Sequence, residues 1–184
     1  MIGYIFGMFQ TGYIYGKIKG IDIRDYGSHN SGTTNVSRIF GKKIGVLTYF
    51  VDALKGLFAI LVMRLLCNTG VIDLSLAADR DAFAYILALY TGIGVVLGHN
   101  YPFYMGFKGG KGIAASSGVI LGMFQWPIFF ICFFLFFGTT LPSRYVSLGS
   151  IVMMTGYFIA TLVLGFLGIL PVTPDSGMLP ELYI

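Results

Sequence analysis

The chain is short of charge. Asp, Glu, Lys and Arg make up 11% of its 184 residues, against about a quarter in an ordinary soluble domain. Hydrophobic residues make up 56%, and the mean hydropathy is +0.81. This composition predicts a polytopic, all-α helical bundle in a membrane and leaves no room for a separate soluble domain, so residues 1–184 are expected to form one transmembrane domain. Histidine is scarce too: His29 and His99 are the two imidazoles. The two cysteines, Cys67 and Cys132, lie at the end of one apolar run and inside another, with no CxxC spacing. No metal site and no cofactor are expected from such a set. HExxH and GxSxG are absent, which disfavours metalloproteases and serine hydrolases.

What the chain has is hydrophobic runs, at 2–16, 44–63, 83–98, 113–126, 128–141 and 146–170, which predict about six spans. The N-terminus carries no basic region and no small-residue cleavage pattern, so the first run reads as a retained span. Trp126-Pro127 separates the fourth run from the fifth, as a tight hairpin or as a kink in one helix. A proline-bearing tail over 171–184 follows the last run. Nine of the twelve basic residues (Lys17, Lys19, Arg24, Arg38, Lys42, Lys43, Lys108, Lys111 and Arg144) fall in the first, third and fifth connections. Alternation puts these on one face, and the positive-inside rule makes that face cytoplasmic. The net charge of +4 is mostly this asymmetry, which suits anionic lipid or anionic substrates and gives no reason to expect nucleic acid.

Two of the basic connections have anion-binding chemistry. From Tyr26 to Val51 there is no acidic residue, and Ser28, Asn30, Ser31, Thr33, Thr34 and Asn35 precede Arg38. Hydroxyls and amides donate to phosphate oxygens, Arg38 can bind them bidentately, and a helix start adds unpaired N–H groups. An ordinary polar loop has the same residue types. In the third connection, glycines at 106, 109, 110 and 112 surround Lys108 and Lys111. Glycine lets backbone N–H groups approach a ligand closely; the bland alternative is a tight turn with lysines at the headgroups. The Walker pattern fails at Gly106 and Gly112, which disfavours an NTPase. Within the second run, Asp52 and Lys55 are three apart, share a helical face and predict a structural ion pair.

The soluble-type glycerolipid acyltransferases resemble one another in a His-x4-Asp box. Here Thr34 stands five residues after His29 and Tyr104 five after His99, so that family is excluded. Four ordered segments carry a different resemblance: Gly27 to Arg38, Val51 to Gly56, Gly98 to Phe103 continuing into Phe107 to Gly112, and Arg144 to Leu148. Together they resemble the bacterial acyl-phosphate:glycerol-3-phosphate acyltransferase family, PlsY, over nearly the whole chain.

The resemblance implies a plasma-membrane enzyme with cytoplasmic active-site loops. Its reaction moves a fatty acyl group from acyl-phosphate to the 1-hydroxyl of glycerol 3-phosphate, giving lysophosphatidic acid and phosphate. It implies catalytic roles for Ser28, Arg38, His99, Lys108 and Ser147, and substrate-binding roles for Asn30, Asn35, Gly109, Gly110, Lys111 and Arg144, with Asp52 and Lys55 structural. Family members have glycine where this chain has His29, and an Ile-Pro-Ser-like turn where it has Phe9-Gln10-Thr11. The family also implies a seventh helix and an Arg-His…Asn-Ile motif that these 184 residues do not carry. The alternative is a non-catalytic or transport-type membrane binder of organic phosphates, or an inactive truncated member.

Overall fold

The computed structural model describes residues 1–75, 77 and 79–170; the tail over 171–184 lies outside them. Every regular element among the described residues is helical. In chain order these are α1 (Ile2–Met8), α2 (Thr11–Ile18), α3 (Thr33–Phe40), α4 (Lys42–Asn68), α5 (Arg80–Asn100), α6 (Ile113–Gly122), α7 (Trp126–Ser143) and α8 (Val146–Phe166), with single 3₁₀ turns at Ile23–Asp25 and Phe103–Met105.

Among the described residues, four helices are long and apolar enough to cross a bilayer: α4, α5 with the turn that follows it, α7 and α8. The six expected runs are all helical, but two are shorter than a span. The run at 2–16 divides at Phe9 and Gln10, which adopt extended backbone between α1 and α2. The interruption has a physical reason: it releases the Phe9 carbonyl from the helical ladder, and the Lys55 ammonium donates to it. The run at 113–126 keeps only the ten residues of α6. Met123, Phe124 and Gln125 then turn the chain, and Pro127 sits in the first turn of α7, where its missing N–H has no helical acceptor to lose. The runs at 113–126 and 128–141 are therefore two separate helices and not one helix kinked at Trp126-Pro127.

Packing divides the chain into two compact units. The first comprises Met1–Ile72 and Leu87–Met123, and small residues set its architecture. Gly56 of α4 lies against the Ala115 carbonyl of α6, and Gly118 of α6 against the Ala53 carbonyl of α4, so a methyl at either position would collide with backbone. Gly3 and Gly7 of α1 likewise abut the backbone of α5 at Thr91 and Val95, while Gly98 of α5 abuts that of α1 at Tyr4. In lipid no hydrophobic force favours helix pairing over lipid contact, so van der Waals contact at such close approach stands in for it. Ala59, Val95 and Ala115 form a wholly buried centre, flanked by Phe6 and Val119. Phe50, Phe58, Tyr90 and Ile93 are exposed, as lipid-facing side chains should be.

The second unit takes residues 73–86 and the described residues from Phe124 onward. Here α7 and α8 form a hairpin closed by Arg144, which adopts a left-handed φ of 60°. Gly149 of α8 packs on the Thr140 hydroxyl of α7, Gly156 on Leu135, and the buried Cys132 thiol points to the Met153 carbonyl at 3.9 Å. Tyr85 accepts a hydrogen bond from the Gln125 amide at 2.6 Å.

Candidate functional site

The first unit gathers both glycine- and amide-rich connections around a buried polar cluster. At its centre is Lys55, 6% exposed, on α4. Its ammonium has three N–H groups and three acceptors: the Asp52 carboxylate at 2.9 Å, His99 Nδ1 at 2.7 Å and the Phe9 carbonyl. An ammonium can only donate, so His99 Nδ1 accepts and the ring's proton sits on Nε2. Asp52 also accepts from the Thr11 hydroxyl at 3.0 Å. The ion pair expected from the three-residue spacing of Asp52 and Lys55 is thus present; all three ammonium N–H groups have acceptors, and Asp52 Oδ1 accepts two hydrogen bonds, the kind of pairing under which a buried ion pair is tolerated.

Gln10 extends this cluster into both loops. Its amide donates to the His99 carbonyl at 2.6 Å, and its Oε1 accepts from the Ser31 hydroxyl at 3.0 Å. Ser31 belongs to the first connection. The His99 carbonyl also accepts the Gly110 N–H at 3.0 Å, and the Asn100 carbonyl accepts the Gly109 N–H at 2.9 Å, both from the glycine-rich loop. A Cβ on Gly109 would meet the His99 carbonyl, and one on Gly110 would meet the His99 ring at Nε2. These two glycines therefore lie against the end of α5, and their N–H groups are committed to it. Among the described residues, the N–H groups that open α6, after Gly112 at a φ of 79° and beside Lys111, have no helical acceptor.

In the first connection, Asn35 is 1% exposed and organises the loop around itself. Its Oδ1 accepts the Ser28 N–H at 2.8 Å, while its Nδ2 donates to the carbonyls of Tyr26 at 2.9 Å and Ile23 at 3.1 Å. Asn30 accepts the Gly32 N–H at 2.9 Å and points its amide to the Gly109 carbonyl at 3.5 Å, from one loop to the other. His29 has a left-handed φ of 56°, a conformation that glycine adopts without steric cost; its Nδ1 lies 2.9 Å from the Arg24 carbonyl. Thr33 Oγ1, at the start of α3, is buried with no hydrogen-bond partner among the described residues.

Arg38, Lys108 and Lys111 are exposed. None of the three has an ion-pair partner among the described residues. The contrast with Lys55 is chemical: one cation is fully enclosed by protein acceptors, and three are open to an anion. Ser28 is exposed as well. Arg144 and Ser147 are exposed at the α7–α8 connection of the second unit.

Two residues of this arrangement escaped sequence reasoning. Gln10 carried a signal, an amide inside an otherwise apolar run. Arg24 was counted only as a topology determinant, yet it bridges the connections. Its Nη1 donates to the carbonyls of Met105 at 2.7 Å and Lys108 at 3.2 Å, and its Nε and Nη2 hold Asp22 at 3.0 and 2.9 Å. The hydrogen-bonded guanidinium pulls the Asp22 carboxyl down to about 2.

Helices that bury their glycines against one another, with two polar, basic connections joined through one buried cluster, define an integral membrane protein of helical class. The glycerol-3-phosphate acyltransferase family model matches residues 1–179, and the chain belongs to that family. The glycerol-3-phosphate acyltransferase of Aquifex aeolicus (strain VF5) is 38% identical over 166 residues, covering 90% of this chain and 79% of the relative. That of Clostridioides difficile (strain 630) is 40% identical over 153 residues, covering 83% and 70%. The crystal structure of PlsY (YgiH), an integral membrane glycerol 3-phosphate acyltransferase, in its glycerol 3-phosphate form superposes with a TM-score of 0.72 at 37% identity, over 89% of this chain and 74% of that one. Its lysophosphatidic acid form gives 0.70 at 36% identity.

Proposed function

We propose that this chain acylates glycerol 3-phosphate at its 1-hydroxyl, using an acyl-phosphate donor, for phospholipid synthesis. The observation that carries the reading is the junction of the two loops in one unit: Asn30 reaches Gly109, and Ser31 is joined through Gln10 to the His99 carbonyl that anchors Gly110. Both substrates bear phosphate, and both loops present cations without carboxylates beside them. Family membership supports the activity, and the relatives' names supply the acceptor.

In this reading the hydroxyl oxygen attacks the acyl carbonyl carbon, a new ester C–O bond forms, and the C–O bond to phosphate breaks. The electron pair leaves with the phosphate, and the hydroxyl proton ends on the released phosphate. No acyl-enzyme is needed, so the protein's share is orientation and stabilisation of charge. Lys108, Lys111 and the opening N–H groups of α6 hold the glycerol phosphate. Arg38, the Ser28 hydroxyl and Thr33 Oγ1 hold the donor's phosphate. Asn35, Asn30, Gly109, Gly110 and His99 act by shaping the loops. The roles of Arg144 and Ser147 rest on the Arg144 to Leu148 motif alone. Positive-inside asymmetry supports a cytoplasmic face of a bacterial plasma membrane for the basic loops.

The test is incubation of the reconstituted chain with palmitoyl phosphate and labelled glycerol 3-phosphate. Labelled lysophosphatidic acid is expected from the native sequence, with turnover reduced at least about 100-fold in Arg38→Ala, as for loss of one positioned charge. Near-native turnover in that variant sinks the assignment of Arg38. Tight binding of glycerol 3-phosphate with no product favours the non-catalytic alternative.

A further inference from the structure

Arg24 has no part in the chemistry proposed above, yet it is a highly connected cation outside the buried cluster. Four of its five guanidinium N–H groups have protein acceptors: two on the Asp22 carboxylate and two on the Met105 and Lys108 carbonyls. Its face lies 5.0 Å from the centroid of the Tyr13 ring. Its backbone N–H donates to Asp22 Oδ1 at 3.0 Å, and its carbonyl faces His29. With so many partners, Arg24 is poorly placed to turn toward a phosphate. Lys108 lies in the opposite state, exposed and without an ion-pair partner among the described residues.

We propose that Arg24 is a positioning residue: it clamps the backbone from Met105 to Lys108 to the first connection, and so fixes where Lys108 meets the glycerol phosphate, without touching substrate itself. The inference rests on the acyltransferase reading for its catalytic consequence, but the clamp itself can be measured without turnover. The planar fork is essential, because it grips a carboxylate on one edge and two carbonyls on the other. A lysine ammonium at the same place is a point charge with three donors and cannot span both edges.

The experiment measures hydrogen exchange of the 103–112 amides in the full chain in nanodiscs, together with KM and kcat for glycerol 3-phosphate. Arg24→Ala is expected to speed exchange across 103–110 about ten-fold, leave α4 protected, and raise KM about ten-fold with a smaller change in kcat, the size expected from losing charge-assisted hydrogen bonds. Arg24→Lys should recover less than half of either effect. Asp22→Asn, which loosens the fork while leaving both carbonyls their donor, should move exchange in the same direction by a smaller factor. It carries the test if Arg24→Ala does not fold. Weaker substrate binding with loop exchange unchanged means that Arg24 contacts the phosphate directly, and overturns the clamp. If the native chain makes no lysophosphatidic acid, the acyltransferase reading fails and the exchange measurement alone decides the clamp.

Discussion

Replacing Lys55 by methionine tests whether the buried cluster is a cooperative unit. Methionine keeps most of the volume but removes all three N–H groups. Asp52, 1% exposed, is left with the Thr11 hydroxyl at 3.0 Å as its remaining partner, and both His99 Nδ1 and the Phe9 carbonyl lose their donor. Breaking a buried pair from one side costs about 3–5 kcal/mol, because a charge stays behind without compensation. At roughly 2–4 °C per kcal/mol for a chain of this size, the expected fall in melting temperature is about 6–20 °C. The double variant Asp52→Asn, Lys55→Met removes the orphan charge and leaves only the carbonyl and the imidazole nitrogen to be satisfied. It should regain about half of the loss, with a coupling energy of at least about 1.5 kcal/mol, as for groups in one network. A thiol-reactive maleimide dye can follow the unfolding, since Cys67 in the first unit is 2% exposed and Cys132 in the second 3% exposed. A Cys132→Ser background confines the signal to the unit that contains the cluster. A double variant no more stable than Lys55→Met alone would refute the claim that the orphaned carboxylate dominates the loss.

Three further outcomes follow from the same geometry. Gly110→Ala should abolish measurable turnover, because its methyl meets the His99 ring, whereas Gly106→Ala, with open space around its Cβ and a φ of 64°, should lose only the ~1 kcal/mol of left-handed strain; an activity assay beside a melting curve separates the two. His29→Gly should stay within about 1 kcal/mol of the native stability and keep activity, while His29→Val should be less stable than the glycine variant by more than about 1 kcal/mol, since β-branched residues rarely accept a φ of 56°. Asp22 is held down to about 2 by Arg24, so its contribution to stability is complete above its ordinary value near 3.8 and is lost as pH falls toward 2. The difference in melting temperature between the native chain and Asp22→Asn, followed by circular dichroism, should be constant above about pH 5, fall as pH drops through 4 to 2, and vanish only below about pH 2.

The helical class and the ion pair were legible because both are local: composition reports the solvent around a segment, and three residues make nearly one turn. The chemistry of the loops was legible for the same reason, as residue types crowd into Gly27 to Arg38 and Phe107 to Gly112. The lengths of the spans were less so. The apolar run at 2–16 is continuous in hydropathy, and where the chain leaves the helix its carbonyls are satisfied from more than forty residues away, Phe9 by the Lys55 ammonium and Met8 by the Tyr104 hydroxyl. Gly109 and Gly110 show the same division. Their sequence context suggested free N–H groups, but packing commits both to the end of α5.

The sequence by itself therefore determined the membrane class, the separation of basic and apolar segments, the Asp52–Lys55 pair and the ordered motifs that identify the family. Tertiary structure alone decided that Gln10, Ser31, His99 and Gly110 share one network, that Arg24 reaches the Lys108 loop, and which cations remain open to phosphate. The physical reason is separation along the chain: local patterns dictate which segments are helical or anion-binding, whereas contacts between residues tens of positions apart exist only once glycine-lined helices have packed in register.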